Sequence, residues 1–390
     1  MAFTTTVGAG GTSLIGTSGV DTTTFAPGTL ATAVFIGAQG DTDFITLQTN
    51  PANNYTIRGG AGVDTINAAG FRNSLVTGDD GDDLITITGT IQTATVSGLE
   101  GNDTIAVQNI NGGLVNGNNG NDTMSSGSTA LSTFTNNGKL VGGQGNDAIT
   151  LGSAGFSVTL TSGIVNGQDG DDTITITNVA AMTGSGSTIY GGQGSDTISA
   201  AGNAARAVFI SGDLGADNLT GSGGSDTVSG GDGNDRITGG AGGDSMSGGS
   251  GTDTYIQGGA ASGVSAFAAV AGAVYTYGAG AVDFITDFAF GLNGDIISGM
   301  GGGATAPTNF NQQTAAQQAA NAAGTVYSVS GSFNATTGVF TAVTNNSGSD
   351  TLLVTTTAVG QTVAAALAAS NNSIILQSVN LTTLTASNFA

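Results

Sequence analysis

Between residues 223 and 259 an aspartate recurs at every ninth position, Asp226, Asp235, Asp244 and Asp253, in the run GGSDTVSGGDGNDRITGGAGGDSMSGGSGTDTYIQGG. A fixed short period of this kind restricts the chain to a stack, because one unit cannot bury its apolar face alone and needs its neighbours to do so. The unit also recurs upstream, as GTSGVD ending at Asp21, GGAGVD at Asp64, GDDGDD at Asp83, GLEGND at Asp103 and GNNGND at Asp122. It continues as GGQGND at Asp147, GQDGDD at Asp172, GGQGSD at Asp196 and GDLGAD at Asp217, with a longer variant, GAQGDTD, around Asp43. Thirteen of these fourteen loops carry glycine five and two residues before the aspartate; only the Asp43 loop departs.

Aliphatic residues keep to the same ruler. Seven before and two after the aspartate stand Ile36 and Ile45, Ile57 and Ile66, Val76 and Ile85, Val96 and Ile105, and Val115 and Met124, and the series runs on to Ile210 and Leu219. Each loop is therefore expected between two short strands that point one aliphatic side chain each into a shared interior. The loops are 19 to 25 residues apart from Asp21 to Asp217 and nine apart thereafter. The early turns should thus carry the motif on one side and a variable loop on the other, with segments such as NPANNY and SGSTALSTFTNNG free for lateral contacts.

GGDGNDRIT (230–238) and GGSGTDTYI (248–256) resemble the nonapeptide G-G-x-G-x-D-x-U-x of RTX calcium-binding proteins, and the resemblance spans roughly residues 16 to 256. It implies an all-β fold, a parallel β-roll or β-solenoid, that binds several calcium ions, roughly up to a dozen. The ligands so implied are Asp21, Asp43, Asp64, Asp83, Asp103, Asp122, Asp147, Asp172, Asp196, Asp217, Asp226, Asp235, Asp244 and Asp253. With them go the loop glycines Gly59, Gly78, Gly98, Gly117, Gly142, Gly167, Gly191, Gly212, Gly221, Gly230, Gly239 and Gly248. The sequence departs from the pattern where Leu99, Asn118 and Gln168 replace the second glycine.

Elementary electrostatics leads to the same cation. Equivalent residues of stacked turns lie about 4.8 Å apart, and bare carboxylates at that spacing repel each other. Calcium, a hard ion that takes six to eight oxygens, relieves the conflict. If Asp21 through Asp217, Asp235 and Asp253 share one side and Asp226 and Asp244 the other, twelve gaps arise, and twelve divalent ions would offset a net charge of -22. Asp41, Asp79, Asp80, Asp82, Asp169, Asp171, Asp213 and Asp232 read as solvated loop charges.

The same charge, 27 acidic against five basic residues, argues against nucleic acid and anionic membranes as partners. The chain has no Cys, His or Trp, which removes thiolate and imidazole chemistry and most zinc sites. No H-E-x-x-H occurs, no G-x-S-x-G has a histidine to serve it, and the expectation is that the protein is not an enzyme. No transmembrane segment and no N-terminal secretory signal is expected.

The roll is expected over 1–255, with 1–30 as an N-terminal cap and first repeat. VDFITDFAFGLNGDII (282–297) resembles the segment that closes RTX rolls, with Asp283, Asp287 and Asp295 at its acidic positions, so 256–300 reads as a C-terminal cap. Residues 301–390 read as a small mixed, mainly β, region with short helices in NQQTAAQQAANAAG and AVGQTVAAALAAS and strands in TVYSVSGSFN and GVFTAVTNN. The uncharged tail SIILQSVNLTTLTASNFA is similar to an uncleaved type I secretion signal; its other reading is a last strand.

The expected role is a secreted calcium-binding structural protein at the surface of a Gram-negative-type cell. It would be a surface-layer or matrix subunit that self-associates into a lattice or fibre, with cell-surface polysaccharide and the type I secretion machinery as further partners. The alternatives are an adhesion, glycan-binding or ice-binding module, or a polysaccharide-acting enzyme.

Overall fold

The computed structural model describes residues 4–8, 11–25, 34–48, 52–126, 132–152, 158–177, 179–183, 188–201, 207–256, 274–276, 283–285, 296–298, 308–309, 326–334, 339–342, 350–355 and 373–376. Among these every regular element is a β-strand. The chain divides into two compact units, Met1–Ile198 and Ser199–Ala390.

In the first unit the strand before each aspartate loop pairs in parallel with its counterpart one turn on: Gly11–Ile15, Val34–Gly37, Tyr55–Ala61, Leu75–Asp80, Thr95–Glu100, Leu114–Asn119, Lys139–Gln144, Ile164–Asp169 and Thr188–Gln193. The strands after the loops form a second parallel ladder, from Thr22–Phe25 to Thr173–Ile176. The aliphatic ruler lies inside, with Ile57, Ile66, Val96, Ile105, Leu140 and Ile149 wholly buried. Alternation and β-branching suit these strands, since one face meets the core and the other water. At the start, Thr4–Gly8 pairs antiparallel with Gly11–Ile15 and covers the first edge of the stack.

The variable side differs from the sequence expectation. It carries a third parallel ladder, through Ala52–Asn53, Phe71–Arg72, the ends of Leu84–Gln92 and Thr104–Asn111, then Ser132–Thr135, Val158–Thr161 and Val179–Thr183. NPANNY and SGSTALSTFTNNG therefore contain paired strands and are not simply loops free for lateral contact. The physical reason is the apolar column Phe71, Ile91, Ile110, Phe134 and Leu160, all fully buried, which gives the extra residues of a 19- to 25-residue turn a core of their own. The chain then returns through left-handed residues, among them Asn54, Asn73, Thr93 and Asn136, with φ between 48° and 56°.

In the second unit the turns shorten to two ladders. Phe209–Leu214, Thr227–Asp232 and Ser245–Ser250 form one, and Asn218–Thr220, Arg236–Thr238 and Thr254–Ile256 the other. Segments of the expected cap add a rung to each: Asp283–Ile285 pairs with the first and Ile296–Ser298 with the second. Asp283–Ile285 also pairs with Ser373–Leu376, which opens an antiparallel sheet through Asp350–Thr355, Val326–Asn334, Val339–Ala342 and Val274–Thr276. The expected strands of TVYSVSGSFN and GVFTAVTNN are thus present, and the start of the tail is a strand. Both expected helices, Asp287, Asp295 and the tail beyond 376 lie outside the described residues. Among the described residues no helix is long and apolar enough to cross a membrane.

Candidate metal centre

The loop conformation starts from two left-handed positions. Four and two residues before the aspartate the backbone takes positive φ, as at Gly60 (111°) and Gly62 (130°) before Asp64. The first of these conformations is kept where the sequence departs from glycine: Asp79 (78°), Leu99 (92°), Asn118 (84°), Gln168 (86°) and Asp213 (75°). Side chains rarely adopt this region, and the strain, of order 1–3 kcal/mol per residue, is borne by the stacking of neighbouring turns.

All fourteen motif aspartates are buried, none more than 2 % exposed. One carboxylate oxygen is used structurally. The backbone N–H of Asp21 donates to Oδ1 of Asp43 one turn on, and the relation repeats through Asp64, Asp83, Asp103, Asp122, Asp147, Asp172 and Asp196, at 2.6 to 2.8 Å. In the second unit Asp217 donates to Asp235 and Asp235 to Asp253, while Val208 donates to Asp226 and Asp226 to Asp244, at 2.8 to 2.9 Å.

In eight of the loops the other oxygen has no such partner. Oδ2 of Asp43, Asp64, Asp83, Asp103, Asp122, Asp147, Asp172 and Asp235 is buried and accepts no hydrogen bond. In all of these but Asp43, whose loop has Ala38 at that place, it lies against the glycine five residues earlier. A Cβ on Gly59, Gly78, Gly98, Gly117, Gly142, Gly167, Gly212, Gly230, Gly239 or Gly248 would overlap Oδ2 of its own loop's aspartate, and Gly221 stands in the same relation to Asp226. Seen from Gly98, the carbonyl oxygen of Gly117 approaches the same point; seen from Gly167, that of Gly191 does. The parallel register also passes over this glycine: Thr77 pairs with Ser97 and Asp79 with Leu99, skipping Gly78 and Gly98.

Burial pushes these carboxyls up, and the like charge of neighbouring aspartates adds to it, against the donated backbone N–H. Asp83, Asp103, Asp147 and Asp172 are raised to about 7 and Asp64 and Asp235 to about 6. Asp43, Asp122 and Asp226 are raised by the same burial. A column of such groups needs a proton or a cation at each Oδ2. The donors present are hard oxygens only, carboxylate and glycine carbonyl, which suits calcium. Among the described residues no three carboxylates are gathered at one point. An ion here would draw on one motif carboxylate together with backbone carbonyls and water, so the set fits calcium through the loop and not through a carboxylate cage.

Two loops are built otherwise. Thr17 and Ser222 stand where most other loops have a left-handed residue, and their backbone N–H groups donate to Oδ2 of Asp21 and Asp226 at 2.5 Å. Their hydroxyls reach the same carboxylates. Those two aspartates have their second oxygen engaged within their own loops, a difference that the matching glycine spacing hides.

The solvated loop charges are not all idle. Beside the buried column runs an exposed one, from Asp82 to Ser195, at the residue before the motif aspartate. The N–H of Asn102 donates to Asp82, Asn121 to Asn102, Asn146 to Asn121, Asp171 to Asn146 and Ser195 to Asp171, at 2.7 to 2.9 Å. These bonds point back toward the preceding turn, opposite in direction to the buried column. The signal was present in the sequence as Asn or Asp at one position of consecutive loops. Asp79 lies 3.7 Å from Nη1 of Arg58.

The model of the RTX calcium-binding nonapeptide repeat matches the chain in four copies, at residues 56–75, 183–204, 207–228 and 220–255. No curated protein gives a significant match. The matched repeats lie within the region that carries the glycine loops and the buried carboxylate columns.

Proposed function

We propose, from the premise that the chain is an RTX β-roll protein, that it is an exported structural subunit whose folding is conditional on calcium and which assembles at the cell surface or in the extracellular matrix. The observation that carries this reading is the column of buried, unpartnered Oδ2 atoms from Asp43 to Asp172. Where calcium is scarce the column opposes folding and leaves the chain threadable for secretion; where calcium is abundant, binding free energy becomes folding free energy. A structural role accords with the composition, which is rich in Gly, Thr, Ser and Ala and has a single Lys. It also accords with the described strands of the repeat region, all of which stack in ladders. No catalytic role is proposed. Cell-surface polysaccharide is the proposed anchoring partner.

The test is a calcium titration of chelated protein, followed by circular dichroism and light scattering together. Cooperative gain of β-structure accompanied by large ordered particles is the expected result. Folding that stops at a monodisperse monomer would transfer the roll to the adhesion-module reading, and an unresponsive chain would overturn the calcium mechanism.

A further inference from the structure

The outer face of the first ladder in the first unit is notched at the turn Lys139–Gln144. Gly143 has no side chain, while the residues in register with it on the turns before and after are Asn118 and Gln168. Two rungs separate those amides, about 10 Å at the spacing of parallel strands. Beside them Val141 stands in register between Asn116 and Asn166. The result is an open groove of two adjoining parts, about 440 and 200 Å3, with Asn116 and Gln168 lining both.

We propose that this groove binds a neutral glycan strand, with one sugar ring seated over Gly143 between Asn118 and Gln168. The chemistry of the walls selects the class. Asn116, Asn118, Gln144 and Gln168 each offer a donor and an acceptor, which matches hydroxyl groups, since each of those also donates and accepts. Lys139, the chain's single lysine, and Asp169 stand in the lining with opposite charge, so the groove favours neither an anion nor a cation. Asn116 Oδ1 is buried and has no hydrogen-bond donor. Asn116 lines both parts, and a rotation of its side-chain amide would present that orphan acceptor to a ligand hydroxyl. Asn118 and Gln168 are held at positive φ, and the first is further fixed by the Ser97 hydroxyl donating to its Oδ1 at 2.6 Å. Strained, locked residues facing a groove are preorganised for a ligand.

The inference deepens the proposed surface role by locating the polysaccharide contact, and it rests on that reading only for the source of the glycan. The calcium-loaded full chain is titrated calorimetrically with maltohexaose, laminarihexaose and mannohexaose. Binding of at least one is expected. Asn118→Gly and Gln168→Gly remove the amides while supplying the residue best suited to the left-handed backbone, so the variants keep the fold. Each is expected to weaken binding roughly tenfold, about the discrimination of one lost polar contact, whereas Gln48→Ala, at an exposed residue outside the groove, leaves it unchanged. Absence of binding to all three hexasaccharides overturns the proposal, as does equal affinity in the glycine variants. Light scattering of the same samples without glycan separates the two readings: assembly without binding rejects the groove alone, and binding without assembly rejects the structural-subunit role alone.

Discussion

The backbone N–H of Asp83 donates to Oδ1 of Asp103, one turn on, at 2.8 Å, while Oδ2 of Asp103 is left buried and unpartnered beside Gly98. One carboxylate thus does two jobs. Oδ1 fixes the register of adjacent turns, and Oδ2 creates the demand for a cation.

Asp103→Asn separates those jobs. The amide keeps an acceptor for the Asp83 N–H but cannot carry charge at the second position. In chelator at pH 8 the variant should be more stable than the parent, because a costly buried charge is gone. In calcium it should bind about one ion fewer and need more calcium to fold. Asp103→Ala removes both functions and should lose about 1–3 kcal/mol even when calcium is saturating. Ion counting by mass spectrometry under native conditions and denaturant melts would check the pair; equal ion counts in parent and Asn variant would contradict the assignment.

The metal-free fold should weaken as pH rises. An unfolded aspartate titrates near 3.9, whereas Asp83, Asp103, Asp147 and Asp172 in the fold titrate at about 7 and Asp64 and Asp235 at about 6. Between these values the folded chain holds more protons than the unfolded one, so stability falls with pH. The contribution is complete below about pH 4 and is lost as pH rises through 6 to 7. Urea midpoints in chelator should therefore be higher at pH 5 than at pH 8, and a midpoint that climbs with pH would contradict the buried column. Added calcium should reverse the loss at pH 8, where no proton competes for Oδ2.

Neighbouring positions in one loop should respond in opposite directions. Gly98→Ala puts a Cβ into Asp103 Oδ2 and the Gly117 carbonyl, and overpacking of that kind costs about 1–3 kcal/mol. Leu99→Gly relieves a leucine at φ 92° and should gain about 1 kcal/mol. Thermal melts in saturating calcium would show the two shifts; loss of stability in Leu99→Gly would mean that the leucine side chain contributes more than its strained backbone costs.

Phe134→Ala tests the third ladder. As a residue of a free loop it would be nearly silent, but it is wholly buried between Ile110 and Leu160 of the adjacent turns. A loss of about 3–5 kcal/mol is expected, read by denaturant unfolding in calcium. A change within about 0.5 kcal/mol, the usual range for surface sites, would return the segment to the variable-loop reading.

Much of the roll was legible because its information is local and repeated. An aspartate, two glycines and two aliphatic residues at constant offsets define a strand, a turn and a strand, and parallel stacking follows from the need to cover the aliphatic face. Ile57, Ile66, Val96 and Ile105 are buried where that ruler put them. The third ladder was not legible, because Phe71, Ile91, Ile110, Phe134 and Leu160 lie at unequal distances from their aspartates and align only when turns of different length are superposed in space.

What the sequence determined by itself is the repeat, its inward side chains and the chemistry of its loops: glycine where no side chain fits and carboxylate where charge is required. What only the tertiary structure decided is how each carboxylate divides its two oxygens. Register places Oδ1 on the preceding turn's N–H, and the crowded glycine isolates Oδ2 in seven of the loops. Thr17 and Ser222 instead close the carboxylates of Asp21 and Asp226. The reason is physical: a residue's type states what its atoms can bond, but which bonds remain open depends on neighbours that lie 18 to 25 residues away along the chain and one strand spacing away in space.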